Sequence, residues 1–400
     1  MAPARHDRTP AVPPGRCVLF NLVGEQPMPC LIPILQYRPD VVIFLYSPRT
    51  ASQVADVCAA LDLAGGLAHP RCVEVEIDPA RFIRSAGIVR EVMAGYPGGR
   101  FLFNLSGGTK LMAISLYRAA EGQGEIVYVS ADDECVLCLL PEDVLKAPIT
   151  ARVPASAYLR AHGAKIDPAR SLDGDSFSLA LFEAARHLAQ WTLALEDWRK
   201  ALSRRTKVHP PASYPARVSL PHPSPVEAAV VDLLDRQGLV RRGKRGASFV
   251  IEDHETWLFL NGGWLELYAF DVARGMDLFH DCCVHTGITH PELGQNELDL
   301  VAMRGAVATL CSCKTGKPRR GEKVRLLDEL EARASALGTF CGKLLIASQP
   351  REVYGESFIQ RARQMGIEVA TGEDLPELAP ALERASRQKG KRPRHDGIPG

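Results

Sequence analysis

Short, almost wholly apolar runs separated by helix-length stretches constrain this chain more than any other feature. The runs lie at 17–23, 41–46, 72–77, 101–105, 126–130 and 135–140, and between them 50–63 and 109–121 have helical composition. Alternating βα units put helices on both faces of a parallel sheet, and strands buried on both faces read as near-continuous apolar runs. The N-terminal part is therefore expected to be α/β with a doubly wound parallel sheet. Sheets of that kind bind ligands beyond the carboxyl ends of their strands, where the βα loops emerge. At 400 residues the chain is longer than one hydrophobic core usually serves, so a second domain is expected.

The loops at that sheet edge are polar. After the run at 101–105 comes Asn104-Leu105-Ser106-Gly107-Gly108-Thr109-Lys110, which opens directly into a helix. Two glycines let the backbone approach a ligand, and free amides at a helix start favour phosphate. Thr109 can cap the helix and Lys110 adds a positive charge. The order G-x-x-x-x-G-K-[ST] is absent, so this is not a Walker A loop. Gly24-Glu25-Gln26-Pro27 follows the first run and Ser47-Pro48-Arg49-Thr50 the second, which makes three polar loops expected on one rim.

With the loop after the first strand, the strand–N-L-S-G-G-T-K–helix segment resembles the CARF (CRISPR-associated Rossmann fold) sensor domain over residues 17–141. That resemblance implies a homodimer holding a cyclic oligoadenylate, of four adenylates, in the groove between two such domains. It makes Ser106, Gly107, Gly108, Thr109 and Lys110 the ligand contacts. Gln26 and Arg49 join them from their loop positions.

From about 150 the βα pattern weakens. Residues 176–202 read as an amphipathic helix, and 206–225 carries prolines that resist regular structure. A helix is expected at 225–238 and a short basic hairpin at 239–252, with Arg241, Arg242, Lys244 and Arg245. A second α/β block follows: a helix near Trp264, strands near 278–285, 297–303 and 307–313, a helix at 322–337 and a strand at 343–347. The domain division is then a disordered lead at 1–16, a sensor domain at 17–150, a helical and Pro-rich linker at 151–224, a catalytic domain at 225–385 and a basic tail at 386–400.

Within that block Asn296-Glu297-Leu298-Asp299 opens an apolar strand, and a turn at Gly305 leads to a partner strand ending Cys311-Ser312-Cys313-Lys314. An acid on one strand and a lysine on its hairpin neighbour suit phosphodiester hydrolysis. The carboxylate holds a hard cation through oxygen. The cation polarises phosphate and activates water, and the lysine offsets developing negative charge. Upstream, Gly262-Gly263-Trp264-Leu265-Glu266 puts Glu266 on a helix within reach as a further carboxylate.

The G-G-W-L-E, N-E-x-D and S-C-K-T segments, over about 255–370, resemble the PD-(D/E)XK restriction-endonuclease-like nuclease of CARF-fused type III CRISPR effectors. This implies a second α/β domain and a DNA or RNA endonuclease that uses Mn2+ or Mg2+. Glu266, Asp299 and Lys314 come first as catalytic residues, then Glu297 and Ser312. Asp299, Glu266 and the Cys313 backbone carbonyl are the metal ligands. The sequence departs from the pattern at Ser312, which stands where Asp or Glu precedes the lysine by two residues. Glu297 shares a strand face with Asp299 and can substitute, as can Glu266.

A net charge of +1 means that a nucleic-acid partner must be met by local patches. Lys317, Arg319, Arg320, Lys323 and Arg325 form one beside the lysine, able to hold phosphates without reading sequence. His254 and His285 are read as structural. Cys135 and Cys138 lie in a buried strand, and strand alternation splits His280 and Cys282 from Cys283 and His285, which disfavours a zinc site. Eleven cysteines and an N-terminus without a secretion signal fit reduced thiols in the cytoplasm, and no run reaches the roughly 18 to 20 apolar residues of a membrane span. The alternative reading is a cyclic-oligoadenylate-responsive regulator. It would read nucleic acid through the helix and basic hairpin at 225–252 and carry a degenerate nuclease site marked by Ser312.

Overall fold

The computed structural model describes residues 15–65, 69–131, 133–139, 144–172, 177–195, 198, 200–202, 213–243, 247–319, 321–338 and 340–387. The chain divides into two compact units, 1–165 with 338–340, and 166–337 with 341–400.

In the first unit the elements run β1 (Cys17–Leu22), α1 (Met28–Tyr37), β2 (Val41–Tyr46), α2 (Ala51–Leu63), β3 (Arg71–Glu76), α3 (Phe82–Ala94), β4 (Arg100–Asn104), α4 (Lys110–Ala120), β5 (Gly124–Ser130), β6 (Cys135–Leu139), β7 (Val144–Pro148) and α5 (Ala155–Ala161). The sheet order is β3-β2-β1-β4-β5-β6-β7. β1 to β5 are parallel, as the apolar runs require. The sixth run departs from that expectation: β6 pairs antiparallel with β5 and β7 antiparallel with β6. The short connection between β5 and β6 leaves no room for a crossover helix, so only a hairpin is open to it. Residues of β1 are buried throughout, and Phe20 stacks on Phe103 of β4 with ring centroids 5.2 Å apart.

β1 and β4 lie side by side at the centre while the chain builds outward on either hand. The order reverses at that point, which opens a crevice beyond their carboxyl ends. Two helices there were hidden in the sequence. α1 contains Pro29 and Pro33 yet buries most of its length, and α3 fills the crossover from β3 to β4.

The second unit begins with β8 (Lys165–Leu172) and α6 (Leu179–Gln190), followed by β9 (Ala216–Leu220), α7 (Pro225–Arg236), β10 (Arg241–Arg242) and β11 (Ala247–Ile251). A short helix over His254–Leu258 and a π-helical turn over Phe259–Gly263 lead into α8 (Trp264–Arg274). Then come β12 (Asp281–His290), β13 (Gly294–Arg304), β14 (Val307–Lys314), α9 (Glu322–Ala336), β15 (Cys341–Ala347), α10 (Glu356–Gln364), β16 (Glu368–Ala370) and α11 (Ala379–Arg387). Six strands form one sheet in the order β16-β15-β14-β13-β12-β8, and β10-β11-β9 form a small second one. β12, β13 and β14 are an antiparallel meander, while β14, β15 and β16 run parallel. One core serves both sheets: α8 buries Leu265, Leu267, Ala269 and Phe270 among Phe182 of α6, Phe249 of β11 and Leu300 of β13.

Within 151–224, read above as a linker, the structure places α5, β8, α6 and β9. The Pro-rich stretch at 206–225 was expected to lack regular structure, and β9 corrects that. Ala216, Val218 and Leu220 are buried and pair antiparallel with β11, while Arg217 and Ser219 face out. Pro215 and Pro221 bound the strand instead of interrupting it, which is where a sheet tolerates proline. Most of the lead at 1–16 and the tail at 386–400 lie outside the described residues, as do Lys244, Arg245 and Arg320.

Candidate nuclease site and ligand-binding rim

At the carboxyl edge of the first unit's sheet, the three polar loops meet. Asn21 and Asn104 are partners in the β1–β4 register and both are buried. Asn104 Nδ2 donates to Asn21 Oδ1 at 2.7 Å and to the Pro29 carbonyl at 2.8 Å, and Asn21 Nδ2 donates to the Cys30 carbonyl at 2.9 Å. Asn104 Oδ1 accepts the Ser106 amide at 3.1 Å and the Ser106 hydroxyl. Ser106 Oγ in turn accepts the Val129 amide at 2.7 Å. The Ser106 side chain is thus committed to holding the loop, and what it offers a ligand is its backbone.

Gly107 packs against β1, where any Cβ would run into the Leu22 carbonyl oxygen, and Gly108 has φ +68. Both positions need glycine. Thr109 caps α4, its Oγ1 accepting the Met112 amide at 3.2 Å. Lys110, the first residue of α4, is exposed. A Cβ on Gly24 would touch the Gly108 amide nitrogen at 3.0 Å, so the loops after β1 and β4 abut. Arg49 pairs with Glu25, joining the loop after β2 to the loop after β1. Both partners are largely exposed, so the pair adds little stability and its arginine is free to exchange partners. Gln26 is half-buried on the same loop. The rim therefore carries loop amides and two exposed cations, a set suited to phosphate.

In the second unit, the β12–β14 meander and the first turn of α8 gather the polar residues. Asp299 on β13 is buried, and its Oδ2 accepts the Cys313 amide at 2.7 Å, the Ser312 hydroxyl at 3.3 Å and Lys314 Nζ at 3.3 Å. Asp299, Ser312 and Lys314 are brought together as the hairpin spacing requires. Gly262 and Gly263 let the turn before α8 come close to the end of β14. A Cβ on Gly262 would meet Thr315 Oγ1 at 3.2 Å, and that hydroxyl donates to the Asn261 carbonyl at 3.3 Å. This seats Glu266 beside the meander.

Glu266 and Glu297 face a histidine that the sequence did not connect to them. His285, read above as structural, points its Nδ1 at Glu266 Oε2, 2.8 Å away, with Glu297 Oε1 at 4.0 Å. Strand parity held the signal. In the β12–β13 register Val284 faces Leu300 and Gly287 faces Glu297, which puts His285 opposite the segment that carries the acids. Burial pushes the Glu266 carboxyl up from its ordinary value against the pull of His285. Burial also works against a charged His285, but the two carboxylates beside it, Glu266 foremost, prevail and raise it to about 9. His285 holds the Glu297 carboxyl below its ordinary value.

Ligand atoms of Glu266, His285 and Glu297 all lie within 4.8 Å of one another. Two carboxylates and an imidazole form a donor set for a divalent cation. Glu266 Oε2 is buried, and among the described residues no donor is aligned on it in spite of the nearby ring, so a cation would satisfy it. The residues fit a divalent metal. Asp299 is not in this group; its Oδ2 is engaged by β14. The cysteines at 282 and 283 do not join it, nor do those at 135 and 138, and all the cysteines are free thiols.

Of the basic cluster, Arg319 lies beside Glu322 and Arg325 pairs with Glu329, while Lys323 Nζ donates to the Tyr354 carbonyl at 3.4 Å. Lys317 is exposed just after β14. In the hairpin of the alternative reading, Arg241 pairs with Glu252 and Arg242 with Asp232. His254 bonds Tyr214 Oη at 3.2 Å and stacks on Trp257.

Residues 253–389 match the family model described as Card1-like, endonuclease domain. The C-terminal part of this chain is a Card1-like endonuclease domain. Its match begins just after β11 and takes in Glu266, His285, Glu297, Asp299, Ser312 and Lys314. No curated protein matches the chain. Among solved structures it is similar to protein VC1899 from Vibrio cholerae (18% identity, 92% of this chain and 98% of that one, TM-score 0.74). It is similar at the same identity to Can2 from Sulfobacillus thermosulfidooxidans, solved in complex with cyclic tetra-adenylate (93% and 99%, TM-score 0.72). A type III CRISPR defence DNA nuclease activated by cyclic oligoadenylate matches at 17% identity and TM-score 0.53, over 85% of this chain and 46% of that one. At these identities the likeness is one of fold. It extends past the endonuclease domain to the seven-stranded unit. Among the described residues no helix is long and apolar enough to cross a membrane.

Proposed function

We infer that this protein is a cyclic-oligoadenylate-activated, metal-dependent nuclease of type III CRISPR defence. The observation that carries the reading is the joining, in one chain, of a Card1-like endonuclease domain to a seven-stranded unit whose switch-point rim is built for phosphate. The near full-length likeness to Can2, which was solved with cyclic tetra-adenylate, supports that ligand.

The loop amides of 106–109 and the charges of Lys110 and Arg49 would take the ligand's phosphates, with Gln26 on the neighbouring loop. Two copies of the first unit, related as a homodimer, would enclose the ring. Activation then requires that the ligand bind the cutting-competent arrangement more tightly than the resting one.

In the endonuclease domain Asp299 holds Lys314, and the lysine's charge offsets the negative charge that builds on the scissile phosphate. Glu266 is the first candidate for a Mn2+ or Mg2+ ion, with Glu297 beside it; Asp299 and the Cys313 carbonyl are the ligands that the resemblance adds. When bound, the ion polarises the phosphate and lowers the pKa of the attacking water. DNA, RNA or both are substrates, and Lys317 lies where a phosphate backbone would pass.

The test is cleavage of labelled single-stranded DNA, supercoiled plasmid and RNA with Mn2+, with and without cyclic tetra-adenylate. Cutting that needs both the ion and the ligand supports the reading. Tight ligand binding with metal-independent duplex binding and no cutting replaces it with the regulator.

A further inference from the structure

We propose that the divalent ion of this domain is held by Glu266, His285 and Glu297, the imidazole supplying the ligand that Ser312 does not. The inference rests on the nuclease reading above and assigns the site's metal ligands and ion preference.

Four observations carry it. The three side chains converge from different elements, α8, β12 and β13, with every ligand atom within 4.8 Å of the others. Glu266 Oε2 is buried and has no aligned donor among the described residues, although His285 Nδ1 is 2.8 Å away. The close ring is placed as a second ligand would be placed, beside the oxygen and not in line with it. Third, the position that carries an acid in the nuclease pattern offers only the neutral Ser312 hydroxyl, turned to Asp299 Oδ2, so a charged ligand must come from elsewhere.

The fourth observation is in the backbone. His285 has φ +48 inside a strand. A non-glycine residue is rarely held there, and such strain collects at functional sites. Val284 and Thr286 on either side keep regular pairing with Leu300 and Leu298, so the distortion is confined to the one residue that turns its ring to the carboxylates.

The consequence is ion choice. Mg2+ favours oxygen ligands and dehydrates reluctantly, whereas affinity for an imidazole nitrogen rises along the first-row ions from Mn2+ to Co2+ and Ni2+. A site with one nitrogen donor therefore prefers first-row transition ions to Mg2+.

The experiment loads the full chain with Mn2+ alone and records pulsed electron paramagnetic resonance for 14N coupling to the ion, with calorimetric titration of Mn2+ and Mg2+ alongside. The expected result is bound Mn2+ with imidazole nitrogen coupling, and Mn2+ affinity at least about tenfold above that for Mg2+. His285→Gln should remove the coupling and weaken Mn2+ by at least about tenfold, on the scale of losses at metal-site residues. Glu297→Gln should weaken Mn2+ and leave the nitrogen coupling, which separates loss of a ligand from loss of the fold. Bound Mn2+ without nitrogen coupling, or coupling unchanged by His285→Gln, overturns the proposal. If Mn2+-dependent cleavage persists in that case, the nuclease reading stands and His285 is only an ion-pair partner. If no Mn2+ binds and no cleavage occurs, both fall.

Discussion

Lys314 Nζ lies 3.3 Å from Asp299 Oδ2, the oxygen that also takes the Cys313 amide and the Ser312 hydroxyl. One buried carboxylate therefore fixes both the last turn of β14 and the direction of its lysine. Asp299→Asn and Lys314→Met should each lower ligand-stimulated cleavage by about 100-fold or more, the scale of losing a preorganised charge at a reacting phosphate. Binding of cyclic tetra-adenylate, measured by calorimetry, should be unchanged by either substitution. Near-normal cleavage in both would move the catalytic site elsewhere.

In the first unit the Asn21–Asn104 pair predicts a stability effect apart from chemistry. Asn104 makes two donations and receives two from Ser106, all at the switch point. Asn104→Ala leaves buried partners unsatisfied and should cost about 1–3 kcal/mol in denaturant unfolding of the purified chain. A loss below about half a kcal/mol would mean that the network is not formed.

Gly107 and Lys110 sit three residues apart and should fail differently. Gly107→Ala forces the loop off the Leu22 carbonyl, so it should lower both the unfolding midpoint and ligand affinity. Lys110→Ala changes an exposed side chain and should leave the midpoint unchanged. It removes a charge from the phosphate rim, so cyclic tetra-adenylate should bind roughly 10- to 100-fold more weakly. Normal ligand activation in the Lys110 variant would sink the sensor assignment.

Charge at His285 predicts a pH dependence for the metal-free protein. Its pKa is raised from 6.5 to about 9, so the stability it contributes is full below 6.5 and is lost as pH rises through about 9. The unfolding midpoint of chelator-treated protein should therefore fall across that window, and His285→Gln should flatten the fall. Glu297, held below its ordinary value, contributes in the opposite sense and loses its part in acid.

The parallel core of the first unit was legible because strands buried on both faces leave no polar alternation, as in 17–22 and 41–46. The loop Ser106–Lys110 was legible because glycine and a capping threonine have few uses between a strand and a helix. What escaped has physical causes too. α1 hid behind Pro29 and Pro33, since proline inside a helix argues against one until tertiary packing overrides it. β9 hid among flanking prolines for a similar reason. In the candidate site the hairpin spacing put Asp299, Ser312 and Lys314 together, but the pairing of Glu266 with His285 depends on how α8 docks on the meander. No local pattern encodes that docking, so His285 read as an ordinary histidine on a strand.

Coupling of ligand sensing to metal-dependent cutting in one chain is open to direct measurement. The most direct test is cleavage of labelled single-stranded DNA, supercoiled plasmid and RNA with Mn2+, with and without cyclic tetra-adenylate. Cutting of at least one of these is expected only when ion and ligand are both present, and it should be lost in Asp299→Asn. Cutting that ignores the ligand, or tight ligand binding with no cutting of any substrate, would contradict it.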